Sequence, residues 1–213
     1  MAEGIVIQLQ REALDDSVDI ETLLRKAYLV ARKLQLKEFE NWISQEQNGY
    51  EDKNEVPDYR TIYGEIKAWN PYNGWIPVVF DGKAIDTLNK TMVLLPISII
   101  SDLYKYGKKP LGMGVAGELT EFLNNSEPSF LKTNYSFQYT KSELHKIVSA
   151  VRNRILDWSI LLEENGIIGE ELKFTNDEIE AARGSQVINN YTNNFYSTAE
   201  STQIQQGGGG NQQ

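Results

Sequence analysis

Cysteine is absent from the 213 residues and histidine occurs once. The first absence excludes disulfides, zinc–thiolate centres and thiol nucleophiles. The second leaves His145 as the one candidate for imidazole chemistry. A Ser-His-Asp triad would need it, and no nucleophile elbow accompanies it. His145 neighbours the apolar stripe of a long helical pattern, so it reads as an exposed or flanking residue. Long apolar runs are lacking too. Met92 to Ile100, the longest, is interrupted by Pro96 and falls well short of the roughly 20 residues that span a bilayer. Met1-Ala2-Glu3-Gly4 carries no basic stretch of the kind that opens a signal peptide. These absences point to a soluble, cytoplasmic protein with no membrane partner. Positive charge is also in deficit. A net charge of −9 argues against nonspecific nucleic-acid binding, which needs a basic surface to neutralise phosphate.

What is present divides in two. Every Lys and Arg lies at or before Arg183, and beyond it only Glu200 is charged. Residues 1–183 are long enough to bury a single core without metal or disulfide staples. Residues 184–213 are rich in Asn, Gln and Gly.

The first part is patterned mostly as helix. Ile5 to Leu14 fits a helix through Val6, Leu9 and Ala13. Ile20, Leu23, Leu24, Ala27, Ala31 and Leu34 form an apolar stripe at helical spacing, and Asp19 suits its N-cap. A third helix over about 37–47 would bury Phe39 and Trp42 or Ile43, with Gly49 as its stop. Pro96 suits the first turn of a helix through Tyr106, and a short helix is expected near 115–123. The longest runs from about Thr140 to Asn165, with Leu144, Ile147, Val148, Val151, Ile155, Trp158 and Leu162 on one face. Thr140-Lys-Ser-Glu143 and Thr175-Asn-Asp-Glu178 are both capping-box patterns. Between the helices, residues 59–69 alternate like a strand, Asn73-Gly74 is a hairpin turn signal, and residues 75–80 read as an edge strand because of Pro77. The expected fold class is mainly α with a small antiparallel β-hairpin insertion near 59–80 (α+β), followed by a low-complexity, β-prone C-terminal tail.

Several constellations carry candidate chemistry. Gly112-Met-Gly114-Val-Ala-Gly117 matches the dinucleotide fingerprint by letters, but Lys108-Lys109-Pro110 precedes it and Phe137 stands where an acidic residue is required. It reads as a loop ahead of a helix. Asp58, Glu65 and Lys67 resemble a PD-(D/E)xK nuclease core, in which two carboxylates hold Mg²⁺ and the lysine polarises a water. Strand alternation puts Glu65 and Lys67 on one face. A solvated face with an ion pair explains the same letters. Arg152 and Arg154 form a basic pair that reads as helix-surface decoration. Trp42 and Trp158 read as core. Tyr63, Trp69, Tyr72 and Trp75 crowd a two-stranded element that has little core of its own, so they either face a helix or form a partner surface. No cofactor is implied.

The tail punctuates a polar background with Val187, Ile188, Tyr191 and Ile204, and Gln203-Ile204-Gln205 alternates like a strand. Short, proline-free, uncharged segments with Asn and Gln pair across chains into β-ladders. Val187, Ile188, Tyr191, Gln203, Ile204, Gln205, Gln206 and Gly207 are therefore candidate self-assembly residues, and a homo-oligomer through the tail is expected. A disordered tail is the alternative.

The chain resembles the AbiTii family of bacterial abortive-infection systems. The residues that carry the resemblance begin with Leu9-Gln-Arg-Glu-Ala-Leu14 and Leu23-Leu-Arg-Lys-Ala27. They continue through Phe39-Glu-Asn-Trp42, Asn48-Gly-Tyr50 and Val56-Pro-Asp-Tyr-Arg60. They are firmest at Arg154-Ile-Leu-Asp-Trp158, Leu162-Glu-Glu-Asn-Gly-Ile167 and Phe174. Thr202-Gln-Ile-Gln-Gln-Gly207 is similar to an ending that such proteins carry. The resemblance implies anti-phage defence but supplies no catalytic residue. It gives Pro57-Asp58-Tyr59-Arg60 a structural explanation of its own, which weakens the nuclease reading. The expectation is a non-enzymatic sensor or regulatory module that meets a phage protein or a defence effector. The alternatives are a Mg²⁺-dependent nuclease and a toxin-like binder of a host protein.

Overall fold

The computed structural model describes residues 3–80, 87–125 and 132–193. Helices α1 (Ile5–Leu14), α2 (Ile20–Leu34) and α3 (Lys37–Asn48) come first. Strands β1 (Thr61–Asn70), β2 (Gly74–Pro77) and β3 (Lys90–Met92) follow, then helix α4 (Ile97–Tyr106). Strand β4 (Leu111–Gly114), helix α5 (Gly117–Asn125) and strand β5 (Tyr135–Tyr139) lead into the long helix α6 (Lys141–Glu164). Helices α7 (Asn176–Gly184) and α8 (Gln186–Asn193) finish the described chain. No described helix is long and apolar enough to cross a membrane.

The helical stripes fold as their spacing dictates. Ile20, Leu23, Leu24, Ala27, Ala31 and Leu34 are all buried, and Asp19 accepts from the Glu21 N–H as the N-cap, a contact worth about 1 kcal/mol. Helix α6 is the central pillar. Leu144, Ile147, Val151, Ile155, Trp158 and Leu162 are buried along it, and α1, α4, α8 and β1 pack against it. The Trp158 ring stacks on Phe39 of α3 with centroids 3.9 Å apart.

The β element is larger than a hairpin. β1 and β2 pair antiparallel, with Trp69 opposite Trp75. β1 is a central strand, however, with β5 on its other side and β4 beyond, in the order β2-β1-β5-β4, while β3 pairs the start of β1. Directly opposed residues share a face, so Ile62, Ile66, Phe137 and Leu111 point into the common core. Gly64 makes that packing possible: a Cβ there would lie 2.8 Å from the Phe137 ring.

The two capping-box patterns part company. At Thr140 no side-chain cap forms. Glu143 turns away and accepts from the Tyr63 N–H of β1 at 3.0 Å, locking α6 to the sheet. At Thr175 the box closes, and Glu178 does more. Its Oε1 accepts from the N–H groups of Ile168 and Gly169, each at 2.9 Å. The carbonyls of those two residues accept from Val6 and Ile5 at 3.1 and 2.9 Å, satisfying the N-terminus of α1. Burial works to raise the Glu178 pKa, but the hydrogen bonds from Thr175, Gly169 and Ile168 prevail and hold it below the ordinary carboxylate range. A carboxylate whose folded pKa is depressed contributes stability above its unfolded value and loses it as pH falls through the folded one. In thermal unfolding at a series of pH values, the stability gap between wild type and Glu178→Gln is expected to narrow on acidification below the ordinary carboxylate range. A gap independent of pH would show that the charge on Glu178 plays no part.

The change of composition at Gly184 is not a change in packing. Gly184 is helical, Ile188 is fully buried in the core, and the Tyr191 hydroxyl donates to the Arg154 carbonyl at 3.2 Å. Two residues expected to drive self-assembly are thus occupied by the body, because α8 lays its apolar side on α6 and α3. Val187 is exposed. Gln203, Ile204, Gln205, Gln206 and Gly207 lie outside the described residues.

Candidate functional site: an open aromatic face over a buried clamp

The two most deeply buried charged residues among those described, Glu46 and Arg60, anchor a closed network. Glu46 on α3 and Arg60, at the end of the 3₁₀ turn Asp58–Arg60, are both fully buried. Arg60 donates Nη2 to Glu46 Oε2 at 2.6 Å and Nε to Oε1 at 3.0 Å. Its Nη1 donates to the carbonyls of Val93 and Leu95 at 3.0 and 2.7 Å. Tyr50 and Tyr59 donate their hydroxyls to Glu46 Oε1 at 2.7 and 2.5 Å. Trp42 donates its indole N–H to the Tyr59 oxygen at 2.9 Å. Burial first, and the Glu46 charge second, push both tyrosine hydroxyls far above the phenol range, so they stay neutral donors. Burial alone would lower the Arg60 pKa, but the Glu46 carboxylate outweighs it and raises it. The guanidinium of Arg154, from α6, stands 3.9 Å over the Tyr59 ring.

Each charge is paired and hydrogen-bonded, as interior charges must be. The clamp ties α3, the turn before β1, the segment between β3 and α4, and α6 into one unit. It accounts for Tyr59 and Arg60, which the sequence singles out without a reason. Arg152 and Arg154 likewise turn inward instead of decorating a surface. Arg152 donates to the carbonyls of Glu12, in the last turn of α1, and of Asp15 and Val18 beyond it, where a cation complements the helix dipole.

The residues on the other side of the sheet face solvent. Alternation along β1 places Tyr63, Glu65, Lys67 and Trp69 on the face opposite Ile62 and Ile66. Trp75 joins them from β2, edge-on to Trp69 with ring centroids 5.3 Å apart. Tyr72, at the β1–β2 turn, is 94% exposed. All four aromatics proposed as a partner surface are therefore exposed, and three share one sheet face with a fourth at its tip. A cavity of about 880 Å³ opens beside the tip, walled by Trp69, Ile76, Val79, Asn134 and Tyr135.

The nuclease-like residues are only partly gathered. Glu65 and Lys67 share the open face, with Nζ 3.7 Å from the carboxylate. Asp58 lies in the turn before β1. Four strand steps, about 13 Å, separate Glu65 from the strand's start. Among the described residues, no three His, Asp or Glu side chains converge on a position for a metal ion. Gly112 and Gly114 lie within strand β4, paired with Gln138 and Ser136, and so are not in a turn between strand and helix where a phosphate would sit. His145 is exposed, its ring 4.9 Å from that of Tyr104.

The described residues thus define an α+β domain with one long central helix, a sealed polar clamp and an antiparallel sheet open on one side. The AbiTii family model matches residues 4–187, and the chain belongs to the AbiTii family. That membership assigns it to abortive-infection defence. No curated protein and no solved structure matches the chain.

Proposed function

We propose that the chain is a non-enzymatic sensor or regulatory module of an abortive-infection system. In this reading the open sheet face receives a phage protein or a defence effector, and the C-terminal tail joins copies of the chain or contacts the effector. The observation that supports it is the exposure of Tyr63, Trp69 and Trp75 on one sheet face and of Tyr72 at its tip. Aromatic side chains left in water carry apolar area that a partner would bury, and such residues dominate interface energetics. The Trp69→Ala, Trp75→Ala double variant is expected to unfold within a few degrees of wild type yet lose protection in a plaque assay. Full protection by the folded double variant would remove the aromatic face from the mechanism.

The tail and the absence of catalysis are tested separately. A chain ending at Asn193 keeps Ile188 and Tyr191 in place, and it is expected to elute later than the full chain as concentration rises. Coincident size-exclusion profiles at every concentration would end the assembly claim. Pure protein with Mg²⁺ is expected to leave phage DNA, plasmid and RNA intact. Cleavage that disappears in Glu65→Ala would replace the sensor with a nuclease.

A further inference from the structure

The sheet has one edge with the character of an acceptor. On one side of β1, the outer edge is made by β2, which ends on Pro77 and so lacks a donor there, and by the three-residue β3, which begins on Lys90. On the other side lies β4, Leu111-Gly-Met-Gly114, with neither proline nor charge inside it. Among the described residues β4 pairs only with β5, and no strand lies on its outer edge. In an antiparallel strand alternate residues direct their N–H and C=O outward, so this edge presents donors and acceptors that no strand pairs among the described residues. Gly114 also leaves the end of β4 bare, where an added Cβ would meet nothing within 4 Å.

We propose that the segment Gln203-Ile204-Gln205-Gln206 of the same chain adds to β4 as a further edge strand. This goes beyond the tail's proposed role between chains and assigns the segment a contact within one chain. The segment alternates, contains no proline and carries no charge, matching an edge that offers backbone and little else. The one charge beyond Arg183 is Glu200, opposite in sign to the exposed Lys108 and Lys109 that lead into β4. Reach is sufficient. Tyr191 is fixed to the Arg154 carbonyl, and from there to the start of α6 at Lys141 is about 20 Å at 1.5 Å per residue. Beside that start, Tyr139 pairs with Leu111 of β4. The residues from Asn194 to Gln203 extend to about 33 Å. A tether of this length holds the segment near the edge at about millimolar effective concentration, so the chain's own edge outcompetes those of other copies in dilute solution.

The absence of cysteine makes the test free of background. One cysteine is placed by Gly114→Cys, and a second in turn by Gln203→Cys, Gln205→Cys or Gln206→Cys, in the full chain. Oxidation is followed on non-reducing gels and compared with Glu171→Cys paired with the same tail positions. At least one β4 pair is expected to close within the chain at least tenfold faster than its control, at a rate independent of protein concentration. In the cysteine-free chain, Ile204→Pro is expected to raise amide exchange at residues 111–114 without changing it in α6. Rates equal to the control overturn the proposal. Disulfides formed only between chains, at a rate rising with concentration, also overturn it and assign the edge to a second copy. Size exclusion separates this from the assembly reading: oligomers with control-rate cross-linking sink the edge contact alone, and a monomer with fast cross-linking sinks assembly alone.

Discussion

Arg60→Met is expected to destabilise the protein by about 3–5 kcal/mol, the usual effect of removing one partner of a buried ion pair. The loss comes from what is left behind rather than from the attraction forfeited. Without Arg60, the Glu46 carboxylate has no cation in an interior closed to water, and the carbonyls of Val93 and Leu95 lose their donors. Domains of this kind are stable by only about 5–15 kcal/mol, so much of the variant is expected to be unfolded at mildly elevated temperature. Denaturant unfolding of the single variant and of Glu46→Leu, Arg60→Met together measures the effect. Removing both charges is expected to recover part of the loss, because no lone charge remains. Recovery stays incomplete because the hydroxyls of Tyr50 and Tyr59 then lose their acceptor. A single variant within 1 kcal/mol of wild type would show that the clamp is not what joins α3 to β1.

Trp158→Ala is expected to cost a comparable amount, about 3–5 kcal/mol, by a different route. The side chain is fully buried at the middle of the fold and stacks on Phe39. Truncation empties a volume that α3 and α6 jointly line, and the two helices cannot close it without disturbing the clamp beside it. Trp158→Phe separates the causes. The indole N–H has no hydrogen-bond partner among the described residues, so deleting it orphans none of them, while a phenyl ring keeps the contact with Phe39. The phenylalanine variant is expected to retain most of the stability in the same denaturant series. Equal losses in the two variants would contradict a cavity origin.

The helices were legible in the sequence because each carries its own evidence. The stripe from Ile20 to Leu34 and the one from Leu144 to Leu162 recur at a local period, and both are buried as written. The sheet was legible only at β1 and β2, where Asn73-Gly74 marks the turn. Strands β3 and β4 are three and four residues long, too short for a period to emerge, and their pairing is non-local. The clamp was illegible for a related reason. Glu46, Tyr50, Tyr59 and Arg60 meet only once α3 and the turn before β1 are folded together, and no spacing announces it. The open face stood between the two: alternation placed Glu65 and Lys67 together, but only the packed sheet adds Tyr63 and Trp69 to that face and tells which side meets water.

The Glu178 clasp also bears on how the chain is made. Helix α1 is synthesised before the rest of this domain, yet the carbonyls that finish its N-terminus belong to Ile168 and Gly169, and these are held by Glu178. The opening helix therefore waits for nearly the whole body to be synthesised before its first turn is satisfied. A chain released before Glu178 lacks the carboxylate that holds those carbonyls in place, while a completed one covers both the end and the apolar side of α1.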